Sequence, residues 1–231
     1  MLRWVGFIVL VVVVHRILVV LPVVGPFLRS FGVFGFWASA IVVGFGLQYL
    51  GRRAYRARRD GAQMRELEAV DSPRNRGKLG SLLAARGRLR AALPHLEAAA
   101  VGEPRVAEWR YQLGRSLLRL GRPDEARAHL RAAVDLNEEH GYGAALMRLA
   151  EAESRAGDPE ASLASLERLE RNHGESPESV YRRGDAFRRL KRRDEARRAF
   201  ARVPELAREV PRYQRGEAQG WAFKARLAGL L

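Results

Sequence analysis

Histidine and cysteine are the residue types most often used for metal binding and nucleophilic chemistry, and this chain offers little of either. It contains no cysteine, which excludes disulfides, thiolate zinc sites, iron–sulfur clusters and a cysteine nucleophile. None of its five histidines has a second histidine four residues away or a carboxylate in a metal-ligand pattern. The sequence therefore predicts neither a metal site nor a cofactor.

Two pairs of glutamates, Glu138 with Glu139 and Glu151 with Glu153, have the residue type that general acid–base catalysis uses. Because the chain is rich in glutamate with helical spacing, we interpret both pairs as solvated helix surface. No phosphate-binding glycine loop and no Gly-x-Ser-x-Gly elbow occurs. We therefore predict that the protein is not an enzyme.

Two long apolar stretches, residues 4–24 and 31–50, precede the first acidic residue. As a helix each would be about 30 Å long, which matches the core of a bilayer. Arg16, near the middle of the first stretch, costs about 3 kcal/mol of insertion free energy, and sixteen Val, Leu, Ile and Phe residues outweigh that cost. The sequence predicts a two-span membrane hairpin over residues 1–50, which could also self-associate into a homo-oligomer.

A run of arginines follows the second stretch, whereas the connection between the two stretches carries only Arg29. The run consists of Arg52, Arg53, Arg56, Arg58 and Arg59. By the positive-inside rule, the chain that follows this run would lie in the cytoplasm, with the hairpin in the membrane. These arginines could also hold anionic lipid headgroups, each with about 1 kcal/mol of attraction. Nucleic-acid binding is the less favoured interpretation, because a basic run beside a span more often sets topology.

An internal repeat organises the rest of the chain. Small residues recur as Gly80, Gly114, Ala150 and Gly184, at spacings of 34, 36 and 34. Sixteen residues after each stands a bulky one: Leu96, Leu130, Leu166 and Phe200. This period predicts pairs of antiparallel helices that cross where side chains are small, and stacking of neighbouring pairs buries the apolar faces that a single pair would expose.

Turn signals agree with these helix pairs. Ser72 before Pro73 is typical of a helix start, and so is Asp158 before Pro159. Gly121 and Gly157 fit the ends of two first helices. In the fourth unit Lys191 stands in place of glycine, so we expect a less regular turn there.

The pattern resembles the tetratricopeptide repeat over residues 73–206, in four units. The resemblance implies an all-α solenoid, with a basic juxtamembrane helix and linker at 51–72 and a capping helix at 207–231. Glu153 and Arg183 depart from the apolar preference of the family at their positions. The whole layout, with an apolar hairpin before divergent repeats, is similar to a set of bacterial membrane proteins without an assigned activity. This similarity implies that the hairpin lies in a bacterial inner membrane.

Tetratricopeptide arrays bind extended peptides on the concave surface that their first helices form, so the resemblance implies a groove here. The repeat register assigns these residues to it: Arg74, Tyr111, Arg115, Arg119, Met147, Arg155, Tyr181, Arg188 and Arg189. Arginine forks suit carboxylates, so this groove could hold an acidic peptide. The alternative is that these residues form ordinary solvated helix faces.

Three hypotheses of function follow. The first is a membrane-anchored adaptor that recruits a protein or peptide partner to the cytoplasmic face. The second is an assembly factor of envelope biogenesis, although the cysteine domain of known examples is absent. The third is an arginine-rich binder of anionic lipid or nucleic acid, which predicts binding that falls steeply with salt.

Overall fold

The computed structural model describes residues 2–20, 26, 30 and 33–229. All regular structure in this part of the chain is helical, without strands. It divides into two compact units, Met1–Arg65 and Glu66–Leu231.

The first unit contains α1 (Leu2–Val20) and most of α2 (Val33–Ala69). Val11 and Val43 are buried within it. Most of the connection between the two predicted spans falls outside the described residues.

The prediction that these helices span a membrane is wrong. Across the described residues, none of the helices combines the length and the apolar character that crossing a bilayer requires. The described part of α1 is Leu2–Val20, 19 residues that include His15 and Arg16. In α2, glycines are interspersed among the apolar residues before the helix continues into the arginine run. The predicted inner-membrane location and cytoplasmic orientation depended on those spans, so both predictions are wrong as well.

The second unit is a succession of short helices in four pairs plus one more. The pairs are α3 (Pro73–Ala85) with α4 (Leu89–Gly102), α5 (Ala107–Arg119) with α6 (Pro123–Leu136), α7 (Ala144–Arg155) with α8 (Pro159–His173), and α9 (Pro177–Arg189) with α10 (Arg193–Glu209). A short 3₁₀ turn (Arg212–Gln214) leads to α11 (Arg215–Gly229), which packs on α10 and α9. The two helices of each pair pack on each other, and the second helix also packs on the first helix that follows it.

Capping side chains stand at the start of three helices, α3, α8 and α9. The sequence predicts the first two of these caps. The Ser72 hydroxyl accepts a hydrogen bond from the Asn75 amide, and Asp158 accepts one from the Ala161 amide. Ser176 and Ser179 form a reciprocal capping box before α9. These oxygens satisfy amides that have no partner inside the helix.

Glycines hold the two helices of a pair close together. A Cβ added to Gly80 would lie 2.7 Å from the Leu96 Cγ, and one added to Gly114 would lie 2.5 Å from the Leu130 Cγ. In the fourth pair, a Cβ on Gly184 would approach the Phe200 ring to 2.7 Å. The predicted contact between small and bulky residues is therefore confirmed.

The turn after α9 is as regular as the others, contrary to expectation. Lys191 adopts a left-handed backbone with φ of 61°, where Gly121 has a φ of 76°. The Lys191 amide donates to the Arg188 carbonyl at 3.0 Å, as the Gly121 amide does to the Leu118 carbonyl at 3.1 Å. The packing of the pair thus imposes the glycine conformation on a lysine, despite a cost of about 1–2 kcal/mol.

Candidate peptide-binding groove

Three of the predicted groove arginines bind the neighbouring repeat. A guanidinium Nη1 of Arg119 donates to the Ala84 carbonyl at 2.9 Å, that of Arg155 to the Leu118 carbonyl at 3.2 Å, and that of Arg189 to the Ser154 carbonyl at 3.2 Å. Each acceptor lies in the last turn of the preceding first helix, where carbonyls carry partial negative charge and accept from a turn amide instead of a helical one. These arginines therefore stabilise the stacking of repeats with part of their donor capacity.

Helices α4, α5 and α7 line an open cavity of about 600 Å³. Its lining consists of Leu89, Tyr111, Arg115, Leu118, Arg119, Arg148, Glu151 and Arg155. Arg115 stacks on the Tyr111 ring, with 5.6 Å from its Cζ to the ring centroid. Tyr111 also contacts His140, whose Nε2 lies 2.9 Å from a carboxylate oxygen of Glu108. Four arginines face one glutamate in this lining, so its surplus charge is positive.

A largely buried ion network joins the third and fourth repeats. The carboxylate of Glu151, only 8% exposed, accepts from Arg148 at 2.5 Å, from Arg155 at 2.7 Å and from Arg182 at 2.9 Å. Glu178 accepts from Arg182 at 2.7 Å and also from Arg148. Burial alone would lower the pKa of Arg148, but the Glu178 and Glu151 carboxylates outweigh it and raise that pKa. Arg148 therefore stays charged despite its burial.

A second cavity of about 310 Å³ lies further along. Tyr181, Arg155 and Arg189 line it, together with Trp221 and Lys224 from α11. The Trp221 ring lies 5.2 Å from that of Tyr181, and the Lys224 Nζ lies 4.0 Å above it. Helix α11 thus supplies one wall of this second cavity.

The remaining predicted residues lie elsewhere. Arg74 is exposed on α3, and Met147 is half-buried. Neither residue lines the 600 Å³ cavity or the cavity beside α11. Arg188 lines a different cavity, of about 310 Å³, with Lys191, Arg193 and Phe200. In the arginine run, Arg52, Arg53 and Arg59 are exposed on α2, and the side chains of Arg56 and Arg58 lie outside the described residues.

Sequence reasoning missed the residues that hold the network together. Arg148 and Arg182 both stand two positions before the small residue of their repeat, a position that the groove register left out. Their equal place in consecutive repeats is a signal that could have identified them. Trp221 and Lys224 could not be found this way, because they come from a helix that the sequence treats only as a cap.

The interpretation of Glu151 and Glu153 as solvated surface is wrong. Glu153 is 2% exposed and accepts from Arg131 and from the Ser165 hydroxyl, both at 2.7 Å. Its departure from the apolar pattern of the repeat is therefore compensated by a buried polar cluster. Arg183, the other departure, pairs with Glu170 and with Glu175. Within the described residues no group of three or more side chains is arranged to hold a metal ion.

Four stacked helix pairs with an open, charged inner surface define a repeat scaffold of the α-solenoid class. The sequence matches the tetratricopeptide repeat model over residues 78–140 and 147–211, more than half of the chain. The chain belongs to the tetratricopeptide repeat family. Proteins of this fold are typically non-enzymatic scaffolds.

Solved structures share this fold at low sequence identity. A crystal structure of MamA is 21% identical with a TM-score of 0.60, over 71% of this chain and 90% of that one. YrrB, described as a tetratricopeptide protein with an unusual peptide-binding site, is 19% identical with a TM-score of 0.51, over 67% and 76% of the two chains. TTC0263 from Thermus thermophilus is 18% identical with a TM-score of 0.54, over 78% and 96%. Among curated proteins no significant match is found. The predicted likeness to membrane proteins with a hairpin receives no support from these comparisons.

Proposed function

We propose that the protein is a scaffold whose concave surface binds an acidic, extended segment of a partner protein. The observation that carries this proposal is the 600 Å³ cavity, in which four arginines and a tyrosine surround one glutamate. Tetratricopeptide relatives include YrrB, for which a peptide-binding site is described. Arginine and tyrosine are the side chains that most often anchor partners at interfaces.

Arg115 is the residue best placed to meet the partner. It lines the cavity and stacks on Tyr111, but unlike Arg119 and Arg155 it makes no described contact with the neighbouring repeat. Its guanidinium can therefore form a two-pronged hydrogen bond with a carboxylate without weakening the stack.

A fluorescent peptide titration of the full chain tests the proposal. The probe is a ten-residue peptide of alternating glutamate and leucine, and its control replaces every glutamate with glutamine. We expect binding of the acidic peptide only, and Arg115→Gln should weaken it about tenfold, because a hydrogen bond to a charged group contributes roughly 1.5–3 kcal/mol. Arg105→Gln, at an exposed position outside both cavities, is the matched control and should leave affinity unchanged. Equal binding of the two peptides would refute the proposal.

The same chain offers a comparison with nucleic-acid binding. A duplex of twenty base pairs, titrated under the same conditions, would bind with an affinity that falls as a high power of salt concentration if the arginines acted on phosphates. Many arginines of the second unit are instead held by carboxylates, as in the Arg148–Glu151–Arg182 network. Tighter binding of the duplex than of the acidic peptide, lost in Arg115→Gln, would replace the peptide proposal with a nucleic-acid one.

A further inference from the structure

Helix α11 occupies the place of the first helix in a fifth repeat. Gly220 follows Gly184 by 36 residues, as Ala150 follows Gly114. The helix packs on α10 and α9, which is how each earlier first helix packs on the pair before it. Ala218, Ala222 and Ala225 are its buried side chains.

The face of α11 that a second helix covers in every other repeat is open. A Cβ added at Gly216 or Gly220 would have nothing within 4 Å, whereas one at Gly114 would meet Leu130. Phe223 stands at the register position of Leu117; it is 63% exposed, and Leu117 is 2% exposed. Leu227 is 50% exposed. With these spacings, Gly216, Gly220, Phe223 and Leu227 form one stripe along the helix, which no described helix covers.

We infer that this stripe is the contact surface for a second copy of the same chain, with the two α11 helices antiparallel. If the two-fold axis passes at the level between residues 221 and 222, Phe223 of one copy lies over Gly220 of the other, and Leu227 lies over Gly216. Bulky side chains then seat on glycines, as Leu130 does on Gly114 within the second repeat. The surface is complementary to itself, as a two-fold interface requires.

Charges on the edges of the stripe fit the same arrangement. In an antiparallel pair equal edges meet, so Glu217 of one copy faces Lys224 of the other, and the pair forms twice. Neither residue makes an ion pair within the described chain, and the Lys224 Nζ lies over the Trp221 ring of its own helix. Arg226 on the opposite edge meets Gln219. A parallel pair would instead place Lys224 beside Arg226 and stack phenylalanine on phenylalanine, with glycine facing glycine. Charge and shape therefore both select the antiparallel arrangement.

Sedimentation velocity of the full chain over a concentration series tests the inference. A single helix pair buries less than the roughly 1,200 Å² of a standard interface, so we expect a weak, reversible monomer–dimer equilibrium. Phe223→Ser should raise the dissociation constant about tenfold or more, since central aromatic residues dominate interfaces. Tyr142→Ser, which changes an aromatic residue that is 92% exposed in the turn before α7, should leave it unchanged. A chain that stays monomeric, or a dimer that tolerates Phe223→Ser, would overturn the inference.

Charge exchange tests the orientation. Glu217→Lys and Lys224→Glu should each weaken the dimer, and the double variant should restore it. Because the chain has no cysteine, the variant Glu217→Cys/Lys224→Cys provides an independent readout. Residues seven apart in one helix are separated by about 10.5 Å, too far for a disulfide, so crosslinking of that variant must join two copies. Crosslinking by either single-cysteine variant alone, or failure of the charge exchange to restore the dimer, would exclude the antiparallel arrangement.

Discussion

At the scale of single residues, a buried charge occupies a position where the repeat pattern favours an apolar side chain. Glu153 occupies a position where the first two repeats place Leu83 and Leu117, and it is almost fully enclosed by protein. Its carboxylate is satisfied by Arg131 and Ser165. Buried ion pairs of this kind are weak sources of stability, because desolvation offsets much of the attraction.

Two variants of Glu153 separate the desolvation cost of its buried charge from the stabilisation by its hydrogen bonds. Glu153→Ala should lower the free energy of unfolding by about 2–4 kcal/mol, since it leaves a cavity and an unpaired Ser165 hydroxyl. The double change Glu153→Leu with Ser165→Ala restores the apolar pattern, and the half-exposed Arg131 can regain water. We expect the free energy of unfolding of the double variant, measured in urea, to equal that of the parent or to exceed it by up to about 1–3 kcal/mol. A double variant as unstable as Glu153→Ala would contradict this.

His129 gives the second repeat a pH dependence. Burial, aided by the nearby Arg110, lowers the pKa of this histidine in the folded protein below its ordinary 6.5, although Glu97 and Glu125 act in the opposite direction. The unfolded chain then binds the proton more readily, so the contribution of His129 to stability is present above about pH 6.5 and is lost as the pH falls through the folded pKa. Unfolding midpoints measured in urea should fall more steeply between pH 7 and 5 for the parent than for His129→Gln. Parallel curves would exclude this effect.

At the scale of helices, the crossing of each pair depends on the absence of a side chain. Gly114 is closed in by Leu130 and by the Ala126 carbonyl. Glycine elsewhere in a helix destabilises it, because its backbone loses more freedom on folding. A glycine in a helix is therefore either a packing requirement or a small defect, and the structure tells which.

Two alanine substitutions should consequently change stability in opposite directions. Gly114→Ala should lower the free energy of unfolding by about 1–3 kcal/mol, since the new Cβ overlaps Leu130. Gly220→Ala, at an exposed helical position with nothing nearby, should raise it by about 0.5–1 kcal/mol. Thermal unfolding of the full chain at a concentration that keeps it monomeric measures both. Equal effects at the two positions would show that the crossing tolerates a methyl group.

At the scale of the whole molecule, the two units differ in how well their sequences predict them. The second unit repeats its pattern, so one reliable contact, such as Gly114 with Leu130, predicts its equivalents. The first unit contains a single long apolar region with an arginine run after it. Counting apolar residues there suggested two membrane spans, but none of the described helices is both long enough and apolar enough to cross a membrane.

The repeat register predicted only some of the residues that line the groove. Register alone placed Tyr111, Arg115 and Arg119 on one surface, and the structure joins them in one cavity. It placed Arg188 there as well, although that side chain lines a different cavity. The register reports which face of a helix a residue occupies, but not which way a long arginine side chain bends.

By itself, the sequence determined the repeat length, the helix pairs and the small residues at their crossings, because those features depend on local spacing that recurs. The tertiary structure decided which arginines bind carbonyls of the preceding repeat and which are held by Glu151. It also decided that α11 leaves Gly220 and Phe223 uncovered. The contacts between repeats join residues about 30 or more positions apart. Such contacts form only once the helices have stacked, so a local sequence pattern cannot specify which side chains make them.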